Sequence, residues 1–192
     1  MTLAHAFVAL CIVWAISQLW IGRRRSGDAG KTRDRGTLDL LIVVIFASLA
    51  LATWLAIADD GQLAARDPRL VVAGMAVMIA GLILRWWSVR TLARFFTVDI
   101  TIQPGQTLVR RGPYRLLRHP SYTGALLTVV GFGIGIGALV PALIAILPIV
   151  AAFLWRIRVE ERMLADAFPD AWPAYARETR RLIPFLWRPH VP

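Results

Sequence analysis

The stretch RRGPYRLLRHPSYTG, residues 110–124, places four arginines, one histidine and two tyrosines directly before a long apolar run. Arg110, Arg111, Arg115 and Arg118 can be read as topology signals, and Gly112–Pro113 as a turn. RHP resists that account, because Pro120 disfavours helical geometry at His119 just where a helix must begin. A helix N-terminus with an arginine, a histidine and a tyrosine beside it is a ready site for a carboxylate or phosphate. Some forty residues on come Glu160 and Glu161. Arg156 lies four residues before Glu160 and Arg158 three before Glu161, so pairing along a helix surface accounts for both. On these residues alone that pairing is the stronger reading, but adjacent carboxylates at a membrane lip are also well placed to receive a cationic or hydroxyl-rich ligand.

Other candidate chemistry falls away. Gly133, Gly135 and Ala138 satisfy GxGxxA, but no strand precedes them and an apolar span follows, so the context of a dinucleotide fold is missing. Close packing and a turn explain these glycines. Cys11 is the single cysteine, which rules out a disulfide or a thiolate cluster within the chain. His5, His119 and His190 are scattered, and no metal site is expected.

The elements that must position these residues are membrane helices. Of the 192 residues 57% are hydrophobic, and mean hydropathy is +0.59. Five segments, about 2–22, 38–58, 69–89, 122–138 and 139–157, have the length and composition of spans, for which about 20 residues are needed. The first is long and lacks a basic start, so it reads as a retained span and not a cleavable signal. Ser17 and Gln18 near its end can bond to neighbouring helices or headgroups. The linker GRRRSGDAGKTRDRG reads as mobile. Gly74 and Gly81 share a helix face and suit close packing, while Arg85, Trp86 and Trp87 read as an interfacial anchor. The loop 94–121 is longer than a connection requires, which marks it as functional, and TVDITI-QPG-QTLV within it reads as a small hairpin. After Tyr122 a tight helical hairpin turns near Gly135–Leu139, with Pro141 in the first turn of the returning helix and Pro148 a kink point inside it. That helix runs on through RIRVEERMLADAF until Pro169 and Asp170. Asp170 is placed to cap an amphipathic helix, AWPAYARETRRL, before IPFLW returns to the interface.

Charge sets the expected orientation. The regions 23–37, 85–121 and 156–192 hold 20 of the 22 basic residues, whereas the connection 59–69 holds only Arg66 and Arg69. In a five-helix arrangement all three basic regions fall on one side, so the N-terminus is expected outside and the C-terminus in the cytoplasm. The net charge of +10 thus reads as topology and contact with anionic headgroups. Nucleic-acid binding is not expected, because the arginines flank spans and do not line one soluble face.

GPYRLLRHPSYTG, the hydrophobic hairpin, RVEERMLADAF and YARETRRLIPF together resemble the isoprenylcysteine carboxyl methyltransferases and the related phospholipid N-methyltransferases. The shared pattern, RHPxYxG, a hydrophobic region and then EE, stands here as Arg118 to Gly124 and Glu160–Glu161. The resemblance covers about residues 70–187. It implies an all-α polytopic membrane enzyme of five transmembrane helices with cytoplasmic amphipathic C-terminal helices, binding S-adenosylmethionine without a Rossmann domain. Residues 1–192 would be one membrane domain: 1–68 two N-terminal spans, and 69–192 the methyltransferase core, with 94–121 as cofactor loop and 158–192 as cytoplasmic tail.

Carried over by motif, Gly112, Tyr114, Arg118, His119, Pro120 and Tyr122 would meet the cofactor, with His119 or Arg118 toward its carboxylate. Glu160 or Glu161 would hold its amino group or ribose. Arg118, His119 and Glu161 would form the catalytic set, and Arg177, Arg180 and Arg181 would face the acceptor. Relatives often carry arginine where this chain has Glu178, and glycine and tyrosine where Pro169 and Trp172 stand; both departures touch the acceptor side. The implied reaction is methyl transfer to a lipophilic acceptor from the bilayer, most readily the carboxylate of an isoprenoid or prenyl-cysteine compound, at the cytoplasmic face of a bacterial or archaeal cell membrane. The alternative is a sterol-reductase-like oxidoreductase using NADPH, against which the GPYR lead-in and the short spacing to EE argue.

Overall fold

The computed structural model describes residues 2–24, 31–32, 36–61 and 63–184. Among the described residues six α-helices follow in order: α1 (Leu3–Gly22), α2 (Thr37–Asp60), α3 (Pro68–Leu92), α4 (Pro120–Ile136), α5 (Leu139–Ala167) and α6 (Trp172–Glu178). Four of them, α1, α2, α3 and α5, are long and apolar enough to cross a membrane. The fourth segment expected as a span, α4, is apolar but has 17 residues. At 1.5 Å per residue that is about 26 Å, short of a hydrocarbon core about 30 Å thick.

Local chemistry sets the helix ends. Asp67 accepts a hydrogen bond from the Arg69 amide at 2.8 Å, and Pro68 opens α3, a favoured pairing of cap and first-turn proline. Gly137 ends α4 in the left-handed region at φ +72°, and α5 starts two residues later, so the hairpin turns where the sequence places it. Pro148 lies inside α5, which continues past it to Ala167.

The tightest packing joins α3 to α4. A Cβ added at Gly74 would stand 2.5 Å from the Gly135 amide nitrogen, and one at Gly81 2.6 Å from the Gly124 carbonyl oxygen. Backbones can approach this closely only where side chains are missing, so the shared face of Gly74 and Gly81 does the packing its spacing implies. Phe132 of α4 packs between Phe7 and Trp14 of α1, with ring centroids at 6.1 and 6.0 Å. The outward faces are apolar: Phe46 is 66% and Trp54 64% exposed. Such continuous apolar surface is unfavourable in water and suits lipid. This is an integral membrane protein.

Several expectations change. The turn at Pro104–Gly105 forms, with the Gln106 amide donating to the Gln103 carbonyl at 3.1 Å. Yet Thr101–Ile102 does not pair across it with QTLV; its antiparallel partner is Lys31–Thr32, with Lys31 opposite Ile102. The ladder positions of this strand are taken by a distant segment, so no local hairpin exists. Asp170 does not cap α6. Ala171 holds that position without a side-chain bond, because the Trp172 amide turns back to the Phe168 carbonyl at 2.8 Å. The terminal helix stops at Glu178, short of Leu182. Beyond it, residue 180 runs as an extended segment bridged in parallel to Leu117. The mobile reading of the linker rests on residues 25–30 and 33–35, and the return of IPFLW on 185–187; these, with Arg188 and His190, lie outside the described residues.

Candidate functional site

The site forms where the start of α4, the lower part of α5 and the segment following α6 meet. Proline at residue 120 keeps His119 out of helical geometry (φ −124°, ψ 55°). Residues 117–119 therefore stand outside any helix, and their backbone can pair with another segment. The Arg118 amide donates to the Arg180 carbonyl at 2.7 Å, the His119 amide to that of Arg181 at 3.2 Å, and the Arg180 amide to that of Leu116 at 2.9 Å. The RHP sequence thus recruits the residues that follow α6 as a neighbouring strand.

The two motif segments then close on each other. The Arg118 side chain, 2% exposed, donates from Nε to Glu161 Oε1 at 2.9 Å. Its Nη1 donates to the carbonyls of Ala176 (2.7 Å) and Thr179 (2.9 Å). His119 Nε2 lies 3.3 Å from Glu161 Oε1, and Nδ1 lies 3.8 Å from Glu160 Oε1. Arg181 Nη2 pairs with Glu161 Oε2. Glu161 is therefore ringed by three nitrogen-bearing side chains and binds the bundle to its tail. Glu160 has a different surrounding. It accepts from Tyr122 Oη at 2.7 Å, its side chain is 27% exposed, and it lines a cavity of about 1190 Å³ from which Glu161 is absent.

Tyr122 is held on several sides. Its ring stacks on His119 at 5.6 Å and 8°, and its oxygen accepts from Arg156 Nε at 3.2 Å. Arg156 is buried and also donates to Thr37 Oγ1 at 2.8 Å and to the Val98 carbonyl. Tyr114, also buried, lines the same cavity. Burial and then the Glu160 charge push its phenol well above the ordinary range, so it offers a proton donor and no base. Burial likewise raises Tyr175, although Arg118 and Arg110 act against it; its hydroxyl donates to the Tyr114 carbonyl at 3.1 Å.

The structure thus brings together Tyr114, Arg118, His119, Tyr122, Glu160 and Glu161. Pro120 is fully buried at the start of α4. Gly112 (φ +56°) packs under Thr91, outside the cavity lining. Arg177 is exposed, and neither it nor Arg180 nor Arg181 lines the cavity. Glu178 pairs with Arg110 at 3.1 Å on the surface. Sequence reasoning missed cavity cations, among them Arg156 and Arg85. It read Arg156 as a surface partner and Arg85 as an interfacial anchor, yet both line the cavity. The available signal was the apolar run preceding each, since a charge continuing such a helix turns inward when it has work there.

At its apolar end the cavity is bounded by Trp14 of α1 and Leu41 of α2, and it reaches the exposed Phe46 and Trp54. Helices α1 and α2 pack mainly on α3 and α5 respectively, and hardly on each other. The cavity therefore joins a polar, carboxylate-bearing end to the lipid-facing surface.

A bundle of apolar helices in which RHPSYTG closes on a double glutamate defines a class of membrane-integral methyltransferase. Residues 70–171 match the phospholipid methyltransferase family, and the chain belongs to it. Among similar proteins, the cobalt-zinc-cadmium resistance protein CzcN of Cupriavidus metallidurans is 32% identical over 88% of this chain and 76% of its own length. Protein-S-isoprenylcysteine O-methyltransferases B and A of Arabidopsis thaliana are 31% and 33% identical over 59% of this chain. The chain spans 58% of the length of each of these plant enzymes. None of these names points to a reductase.

Proposed function

We propose that this protein transfers a methyl group from S-adenosylmethionine to the carboxylate of a lipophilic, isoprenoid-type acceptor that enters from the bilayer. The observation that carries this reading is Glu160: one carboxylate, oriented by Tyr122, facing a cavity whose far side opens among lipid-facing residues. The names of the plant relatives support the acceptor class.

The residues fit such a cofactor. Its cationic sulfonium and α-amino group and its ribose hydroxyls call for a carboxylate and hydroxyls, which Glu160, Tyr114 and Tyr122 supply at one end of the cavity. When bound, the cofactor supplies a methyl already activated on sulfur: the acceptor oxygen forms the new O–C bond, the C–S bond breaks, its electron pair stays on sulfur, and no proton moves. The protein therefore has to align the partners and exclude water. Glu160 provides negative potential toward the cationic group. Arg118, His119 and Glu161 hold the wall in place, and Tyr122 fixes the direction of Glu160. An apolar surrounding strengthens these fixed charges and favours a step in which opposite charges neutralise each other. A carboxylate acceptor suits this site better than an amine. An amine would need a base, whereas both His119 ring nitrogens face glutamates and Glu161 is fully engaged.

In this reading the short α4 completes a fifth span against α3 and α5, and the site faces the cytoplasm, where the cofactor is made available. Calorimetry of the purified protein with S-adenosylhomocysteine, followed by transfer of labelled methyl from S-adenosylmethionine to a prenylcysteine acid, tests the proposal. Binding of the first and labelling of the second are expected. Failure to bind S-adenosylhomocysteine would sink the reading.

A further inference from the structure

The cavity holds a second polar feature on the helices facing the motif. Arg85, two turns from the end of α3, lines it. Its Nη1 donates to the carbonyl and hydroxyl of Ser121 at 3.2 and 3.3 Å, which fixes the guanidinium. Its Nε is buried and has no hydrogen-bond partner, and among the described residues no carboxylate pairs with Arg85. Gln18 of α1 lines the same cavity with a buried, unpartnered Nε2. Helices α1 and α3 meet at this level, because the neighbouring Trp86 donates from Nε1 to Ser17 Oγ at 2.8 Å.

A charged group in a membrane helix is costly to keep without a partner, and an unsatisfied buried donor adds to that cost. Arg85 and Gln18 both line the cavity, and a guanidinium there with no carboxylate partner suits an anionic group that arrives as ligand. The chamber then has two opposite poles. Glu160 is an anion whose closest partner is a neutral tyrosine, and Arg85 is a cation whose partners are a neutral serine hydroxyl and carbonyl. A cationic methyl donor can meet Glu160 and an anionic acceptor Arg85, with the apolar walls of α1 and α2 left for a hydrocarbon tail.

We infer that Arg85, assisted by Gln18, binds the carboxylate of the methyl acceptor and sets the preference for anionic lipids. This rests on the methyltransferase reading and adds a specificity residue on α3, away from the arginines of the tail. The same chemistry would also serve the carboxylate of the cofactor, and the experiment separates the two sources.

The test measures binding of N-acetyl-S-farnesylcysteine and of its uncharged carboxamide to the full-length protein in detergent, alongside S-adenosylhomocysteine. Wild type should prefer the acid by about tenfold or more, the worth of a hydrogen bond to a charged group. In Arg85→Gln that preference should vanish while affinity for S-adenosylhomocysteine stays within about twofold. In Gln18→Leu, an uncharged change that reads the same preference if Arg85→Gln does not fold, it should shrink several-fold. Arg85→Lys should retain part of it. Three outcomes overturn the inference: a wild type that binds S-adenosylhomocysteine without preferring the acid, an Arg85→Gln that keeps the preference, or an Arg85→Gln that stays folded yet loses S-adenosylhomocysteine. The last would give the guanidinium to the cofactor. A wild type that ignores S-adenosylhomocysteine sinks the methyltransferase reading itself, which is a separate failure.

Discussion

Glu160 and Glu161 are neighbours in sequence and point to different tasks. Glu161 is enclosed by Arg118, His119 and Arg181, whereas Glu160 meets Tyr122 and the cavity. The pair therefore separates under substitution. Glu160→Gln should leave the fold intact and weaken S-adenosylhomocysteine by about tenfold in calorimetry, since one charge-assisted contact is lost. Glu161→Gln should instead lower the unfolding temperature, because removing one member of a buried ion network costs about 3–5 kcal/mol. If both variants unfolded alike with equal affinities, the division of labour would be wrong. The adjacency of the carboxylates was legible in the sequence; which one faces the ligand was not. That depends on a step of about a hundred degrees between successive helix residues and on where α4 and the tail stand around α5.

At the scale of elements, two contacts organise the site: the glycine seam of α3 and α4, and the strand-like docking of residue 180 on 117. The seam brings Arg85 against Ser121 and so sets the depth at which α4 begins. Gly74→Ala should cost about 1–3 kcal/mol of stability, as inserted methyls do in a tight contact, because the new Cβ meets backbone at 2.5 Å. A thermal shift in detergent reads this, and an unchanged midpoint would show that the helices part freely. For the docking, Arg118→Met removes the donor that binds the Ala176 and Thr179 carbonyls. The segment 176–184 should then become protease-sensitive while the apolar helices stay protected. Helix positions and the turn at Gly137 could be read from apolar runs and glycines, since those signals are local. The pairing of Thr101–Ile102 with Lys31–Thr32 could not, because a ladder partner some seventy residues away leaves no mark on the strand itself.

Over the whole molecule, apolar exposure and charge asymmetry describe how the protein sits in lipid. Helices α1, α2, α3 and α5 are long enough to cross, and crossing by α4 as well would put the termini on opposite sides. Cys11 is the single cysteine, so a Cys11→Ser background permits clean mapping. A cysteine replacing Arg69 should react with an impermeant maleimide on intact cells, and one replacing Arg177 only after permeabilisation. Labelling of both from outside would remove the five-span arrangement and the cytoplasmic site. The cavity runs from Glu160 to the exposed, apolar Phe46 and Trp54 of α2.

The sequence by itself determined the membrane environment, the helical class and the family, because hydropathy, arginine placement and RHPSYTG with EE are properties of short segments. Only the tertiary structure decided that Arg118 and Glu161 brace the site, that Glu160 faces the cavity, and that Arg85 and Arg156 turn inward from helices where they read as surface charges. The physical reason is the same in each case. Whether a polar group is a support, a ligand or an anchor depends on which partners lie within about 3 Å of it, and those partners come from segments far apart in the sequence.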